Sequence, residues 1–317
     1  MDVARALLKP EPCSSDGDAR AVIDRMEESA LEPFDAALVH AARADRVGFA
    51  FVAAYLSATR LLAARLHVRA PRTARFALAA TEDGGGHPRA IATTLTTATD
   101  APMTLRGVKT FATLADEATH ILVIARDGEL DGRPNLKAVV VPRERAGMRM
   151  TRVPDTPFCP EIHHARVELD GVRVEADKIV SGDAYTTVLK PFRTVEDIFV
   201  QGAGLAFVAA SASRAHTGDG PSPLALRAFA ITRLLRELVR EDPLAPTTHL
   251  ALAGALELSS AVLEDFGALR GLPDDLRARF VRDRPLFRIA SRVREARLAR
   301  AFADLSSAAQ KRPDTPT

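Results

Sequence analysis

The chain is poor in cysteine. Its 317 residues hold two, Cys13 and Cys159, too far apart in sequence to form a disulfide framework. That excludes the small stapled secreted domains and points to a reducing compartment. It also lacks an excess of either charge. Lys plus Arg number 43 against 41 Asp plus Glu, a formal charge of +2, so no global field draws it to nucleic acid or an anionic membrane. The opening MDVARALLKPEPCSS has no continuous apolar core of the kind a secretory signal needs. The two most apolar runs, VGFAFVAAYLSATRLL and IFVQGAGLAFVAASAS, are interrupted by Arg60 and Gln201 and fall short of the ~20 apolar residues of a bilayer span. A soluble, cytoplasmic protein with no nucleic-acid and no membrane partner is expected. No G-x-S-x-G elbow or P-loop is present. GAGLAF, from Gly202, lacks the third glycine of a dinucleotide fingerprint and lies within a helical pattern, so close helix packing accounts for it.

What is present is ample apolar material, 47% of the chain, in three successive textures. Residues 1–75 read as helical. DARAVIDRMEESALEPF and FDAALVHAARADR space their apolar residues by three and four, and Phe51, Tyr55, Ala58, Leu62 and Leu66 line one face of a third helix. Residues 76–187 read as short strands, RAIATTLTTA, MTLRGVKTFATLA, THILVIARDG, LKAVVVPRE and HHARVELDGVRVEADKIV, separated by Asp-Gly and Ala-Gly turns. Residues 188–317 return to helical periodicity, with segments near Thr194–Arg214, Pro223–Arg240, Thr247–Leu269 and Arg284–Ser307. Pro221, Pro223, Pro243, Pro246 and Pro273 mark the breaks, and a polar tail, QKRPDTPT, follows. The expected fold class is α+β: a helical N-terminal domain, a β-sandwich or barrel in the middle, and a helical-bundle C-terminal domain.

One connector is more than a turn. AATEDGGGHP leaves an apolar strand through an acidic pair and three glycines before RAIATTL resumes one, and such glycines permit close backbone approach to a ligand. Further on stand LRGVKTFATLADEATHILVIAR, then HHARVELDGVRVEADKIVSGDAY, then PFRTVEDIFVQGAG. Taken in this order, the four words resemble the acyl-CoA dehydrogenase family, whose middle domain carries T-E-P-G-x-G-S-D, G-x-K-x-[WF]-x-T and D-V-x-V-P words and then a long helix. The resemblance implies that family's three-domain fold, bound FAD, an acyl-CoA or acyl-carrier thioester as substrate, and a homo-oligomer, a dimer. It implies that Thr81 and Glu82 bring backbone groups to the flavin ring, with Phe111 packed beside the ring and Thr113 hydrogen-bonding its reactive edge. Gly86 and His87 fall on the substrate side of the turn.

The chain departs from the family at several points. His87 and Pro88 replace the usual Ser-Asp, and proline removes an amide donor. The usual arginine-and-glutamine pattern for the FAD pyrophosphate is not evident in RAHTGDGPSPLALRAFAITRLL, and the last helix has no E-G-T turn with its catalytic glutamate. Oxidation at the α,β-bond requires a base for the α-proton, held in a water-poor pocket that raises its pKa from about 4.3 towards neutrality. Some relatives, isovaleryl-CoA dehydrogenase among them, place that glutamate in the long helix after the β-domain, where Glu196 matches best and Asp197 next. The plainer reading makes Arg193, Glu196 and Asp197 a capped, solvated helix start, with Thr194 as N-cap and the acids suiting a first turn. The competing class for the whole protein is a non-catalytic scaffold of the same fold.

Two other constellations stand out. Cys159, Glu161, His163 and His164 lie together in CPEIHH, but adjacent strand residues face opposite ways and no second half-site exists, so no metal site is expected. Arg284, Arg288 and Arg292, with Arg277 and Arg300, are spaced as a solvated amphipathic face.

Overall fold

A computed structural model describes residues 2–13, 19–85, 87–98 and 101–310. Four helices come first: α1 (Val3–Leu8), α2 (Ala19–Glu27), α3 (Pro33–Arg43) and α4 (Val47–Arg65). Pro33 opens α3, where a missing N–H costs nothing. The alanine-rich α4 is buried on nearly every side. Eight strands follow: β1 (Phe76–Ala79), β2 (Thr94–Ala98), β3 (Ala101–Thr113), β4 (His120–Leu130), β5 (Arg133–Pro142), β6 (Met148–Arg152), β7 (His164–Val174) and β8 (Ile179–Val180). The last part is helical: α5 (Lys190–Ala215), α6 (Pro223–Leu238), α7 (Pro246–Ala268), α8 (Asp274–Asp283) and α9 (Ser291–Gln310). The α-then-β-then-α order is the one expected.

The strands form a single mixed sheet of order β6-β7-β3-β2-β4-β5-β8, with β1 pairing parallel to β4. Side chains from one face of β1, β3, β4, β5 and β7, such as Ala77, Leu105, Val123, Val139 and Val167, meet in one apolar cluster. The sheet therefore wraps around a core of its own. Residues on the opposite face, Phe76, Leu122, Ile124 and Val140, join the larger cluster shared with the helices.

Helix α5 is the axis of the helical part, packing on α1, α3, α4, α6 and α7. Its two glycines sit where neighbours press close. A Cβ on Gly202 would lie 2.7 Å from the Phe34 ring, and one on Gly204 would enter the Phe287 ring, so close packing is the use of GAGLAF. Glu161 ties the three parts together, its carboxylate meeting Arg46 before α4 (3.3 Å) and Arg282 of α8 (2.8 Å).

Three expectations are corrected. The helix read from Thr194 begins at Lys190, preceded by a wide turn over Tyr185–Leu189. Thr194 is therefore buried inside α5 rather than an N-cap, its hydroxyl accepting from Arg297 at 3.0 Å. The segment read as one helix over Arg284–Ser307 is a short tight turn, Arg284–Arg288, followed by α9. Finally, Val47–Arg65 and Tyr185–Ala215 are long and apolar enough by composition to cross a membrane, but 83% and 94% of those windows are buried inside the protein. They are core helices.

Candidate functional site

The first wall of the site belongs to β3. Strand alternation alone would put Lys109, Phe111 and Thr113 on one face. Pairing with β7 runs Lys109↔Val167 and then Ala112↔Ala165, which leaves one extra residue in β3, a bulge that reverses the alternation. Lys109 and Ala112 therefore share the interior face, and Phe111 and Thr113 face the helices. Lys109 is fully buried, whereas Phe111 stays 39% exposed. The His164 ring stacks on Phe111 with centroids 4.0 Å apart, and its Nδ1 shares a 3.2 Å hydrogen bond with the Thr113 hydroxyl. Burial pushes His164 down to about 4, so at neutral pH this imidazole is uncharged.

Lys109 explains the glutamate of the glycine-rich turn. Its Nζ lies 2.6 Å from Glu82, whose carboxylate also accepts the amides of Ala92 (2.8 Å) and Thr93 (3.1 Å). Burial pushes Glu82 up, but Lys109 and the two amides together pull it further down, below the usual carboxylate range. The pair is ionised, and it fastens the turn to β3. Glu82 and Gly85 close the turn on each other through their backbones, and Gly85 takes φ +90°, a conformation glycine reaches without strain. Thr81 bridges Phe111, and its carbonyl accepts from Thr110. At Gly107, with φ +149°, a Cβ would stand 2.6 Å from the Thr93 Cα, so the glycine of the G-x-K word lets β2 lie against β3.

The second wall is helical. Between Thr81, Phe111 and Thr113 on one side and Tyr55, Leu189, Phe192, Arg193 and Glu196 on the other lies a cleft of about 190 Å³, floored by Leu78 and Ala80. The first turns of α5 project Glu196 into it. Burial pushes the Glu196 carboxyl up to about 7, and neighbouring Asp197 pushes the same way, against Arg193 and Arg294. Asp197 is held differently. It is buried, accepts from Arg294 at 2.8 Å and pairs with Arg297. Tyr55 of α4 is 3% exposed, and its hydroxyl accepts the Leu78 amide at 3.1 Å.

Four of the residues proposed from sequence thus share one cleft: Thr81, Phe111, Thr113 and Glu196. Glu82 does not line it, its side chain being committed to Lys109 and its backbone to Gly85. His87 is exposed and caps the short turn Pro88–Ala90 by accepting from the Arg89 amide. Gly86 lies outside the described residues. The reading of Glu196 and Asp197 as solvated acids is overturned, because α5 starts earlier and Arg294 and Arg297 of α9 reach Asp197. The arginine face is likewise divided. Arg277 caps the end of α7 through Gly267 and Leu269, Arg294 and Arg297 turn inward, and Arg288 meets Glu264 at the surface. Glu161 and Cys159 belong to the Arg46, Arg282 and Asp283 network. By sequence Tyr55 belongs only to an apolar face, Arg193 to a solvated helix start and His164 to a rejected metal cluster, and Lys109 and Phe192 have no role. A hydroxyl on an apolar stripe was the one available sign for Tyr55.

An aromatic and hydroxyl-bearing sheet wall facing a carboxyl that titrates near neutrality is a place for removing a weakly acidic proton beside a planar group. The family model for the acyl-CoA dehydrogenase middle domain matches residues 77–172. Comparison with curated protein sequences yields no match. Among solved structures, glutaryl-coenzyme A dehydrogenase in its glutaryl-CoA complex aligns at TM-score 0.62 and 15% identity, covering 87% of this chain and 81% of that one. Butyryl-CoA dehydrogenase from Megasphaera elsdenii aligns at 0.62 and 16%, covering 91% and 83%. The FAD complex of PigA aligns at 0.60 and 14%, covering 90% and 88%. Residues 77–172 thus match the acyl-CoA dehydrogenase middle domain, and the fold of the whole chain is similar to that of these dehydrogenases.

Proposed function

We propose that the protein is an FAD-dependent oxidoreductase acting on the α,β-bond of an acyl-CoA or acyl-carrier thioester, with Glu196 as the base. The observation that carries this reading is the meeting of Glu196, raised to about 7, with Phe111 and Thr113 across one open cleft. A base with a pKa near the working pH is ionised often enough to act and still strong enough to take a proton. Burial and the neighbouring Asp197 charge give Glu196 that value, and among the described residues it has no ion pair, whereas Asp197 is held by Arg294 and Arg297.

The residues present suit a flavin. The half-exposed Phe111 ring, the Thr113 hydroxyl and the Thr81 backbone form a hydrogen-bonding wall of the cleft. Thr81, Phe111 and Thr113 would hold the ring. A volume of about 190 Å³ lies below the roughly 300–1,000 Å³ of drug-sized pockets, so the cleft would take only part of a dinucleotide. When bound, the flavin supplies the two-electron acceptor. The chain's own part is to hold the thioester, exclude water through Leu78, Leu189 and Phe192, and take the α-proton on the Glu196 carboxylate. We place the protein in the cytoplasm as a homodimer. The exposed Leu258, Ile289, Phe302 and Leu305 of the C-terminal helices suit such a contact.

The visible spectrum of the purified protein tests the reading. Yellow flavin bleached anaerobically by an acyl thioester, with bleaching lost in Glu196→Gln, is expected. A colourless protein that ignores added FAD would instead favour the non-catalytic scaffold.

A further inference from the structure

Tyr55 is a buried phenol with its hydrogen bonding half used. A hydroxyl carries one donor and two acceptor lone pairs. The Tyr55 oxygen accepts the Leu78 amide at 3.1 Å, and no described residue accepts its proton in return. Buried polar groups are nearly always satisfied, so such an exception calls for an explanation. The ring cannot swing to find another partner. Phe51 stacks on it with centroids 5.8 Å apart, and Phe192 meets it edge-on at 6.4 Å. Tyr55 lines the cleft that Glu196 also lines. Burial and the Glu196 charge both push the phenol's pKa up, so it stays protonated and remains a donor at every working pH.

We propose that Tyr55 is a further catalytic residue, donating its hydroxyl hydrogen bond to the carbonyl oxygen of the thioester whose α-proton Glu196 removes. A base and a fixed donor lining the same small cleft are what enolisation of a carbonyl compound requires. The α-C–H bond breaks, its proton passes to the Glu196 carboxylate, and the electron pair moves onto the carbonyl oxygen, where the Tyr55 O–H stabilises the negative charge. Protonation at carbon reverses every change. No oxidant enters this half-reaction, so the pair catalyses exchange of the α-hydrogen with solvent whether or not flavin is bound. The inference rests on the reading of Glu196 as base, and its test separates the two.

Butyryl-CoA in D₂O is incubated with the full chain, with and without added FAD, and α-deuteration is followed by NMR. The carbonyl stretch of the bound thioester is read by infrared spectroscopy. Wild type is expected to exchange and to lower the stretch. Tyr55→Phe keeps the ring between Phe51 and Phe192. It is expected to exchange about 10²–10³-fold more slowly, the loss typical of one oxyanion donor, with the stretch back near its free value. Glu196→Gln is expected to stop exchange but keep the lowered stretch. Unchanged exchange and stretch in Tyr55→Phe overturn the assignment while leaving Glu196 standing. A wild type that binds the thioester without moving its stretch overturns it too. A lowered stretch without any exchange retains Tyr55 and overturns Glu196. The chain has two tyrosines, so 3-fluorotyrosine in a Tyr185→Phe background labels Tyr55 alone without altering its packing. The more acidic phenol should lower the stretch further, and an unmoved band overturns the proposal.

Discussion

Glu82 and Glu196 are two glutamates withdrawn from water on opposite sides of the sheet, and they end in opposite states. Glu82 meets an ammonium and two amides, stays ionised, and fixes a loop. Among the described residues Glu196 meets no such partner, and its pKa rises to about 7. The burden of burial is common to both. What differs is whether the fold supplies compensation, and that difference separates an ion-paired carboxylate from the one proposed above as the base.

The comparison breaks most sharply at Glu196. Glu196→Gln should lower turnover of an acyl thioester by about 10²–10⁴-fold, the range of general-base catalysis, while leaving the urea midpoint unchanged or raised. Removing the other glutamate's partner should do the reverse. Lys109→Met strands the Glu82 carboxylate in the interior and should cost about 3–5 kcal/mol, read from urea unfolding. Adding Glu82→Gln should recover part of that loss. Gly107→Ala should cost about 1–3 kcal/mol, because φ +149° and the Thr93 backbone both oppose a methyl group.

pH sharpens the contrast further. The folded Glu196 holds a proton that the unfolded chain has already released between about 4.5 and 7. Its contribution to stability therefore falls as pH rises through that window. The difference between wild type and Glu196→Gln, measured by urea unfolding at each pH, should fall with it. Glu82 behaves oppositely. Its contribution is present above the unfolded carboxylate value and lost only as pH drops through its depressed folded one. The smallest effect is expected at a surface pair. Arg227→Ala, which removes an exposed contact to Asp265, should shift stability by less than about 1 kcal/mol.

Much of the sheet wall was legible in the sequence. Thr81, Phe111 and Thr113 sit in short words whose spacing is local, and local spacing survives folding. Lys109 was not legible, because the bulge between it and Ala112 reverses which face a side chain takes, and a bulge is defined only by the partner strand. The helix wall was half legible. Glu196 was found by its place in a helix, but its neighbour Asp197 carried the same local signals. What tells them apart is α9, nearly a hundred residues later, whose Arg294 and Arg297 neutralise one and leave the other.

By itself the sequence determined the order of helical and strand segments, the glycine-rich turn and the set of candidate side chains, because periodicity and turn chemistry act between near neighbours. Only the tertiary structure decided which carboxylate is paired, which is bare, and that Tyr55 stands beside the bare one. Charge compensation and water exclusion depend on groups that meet in space from distant parts of the chain.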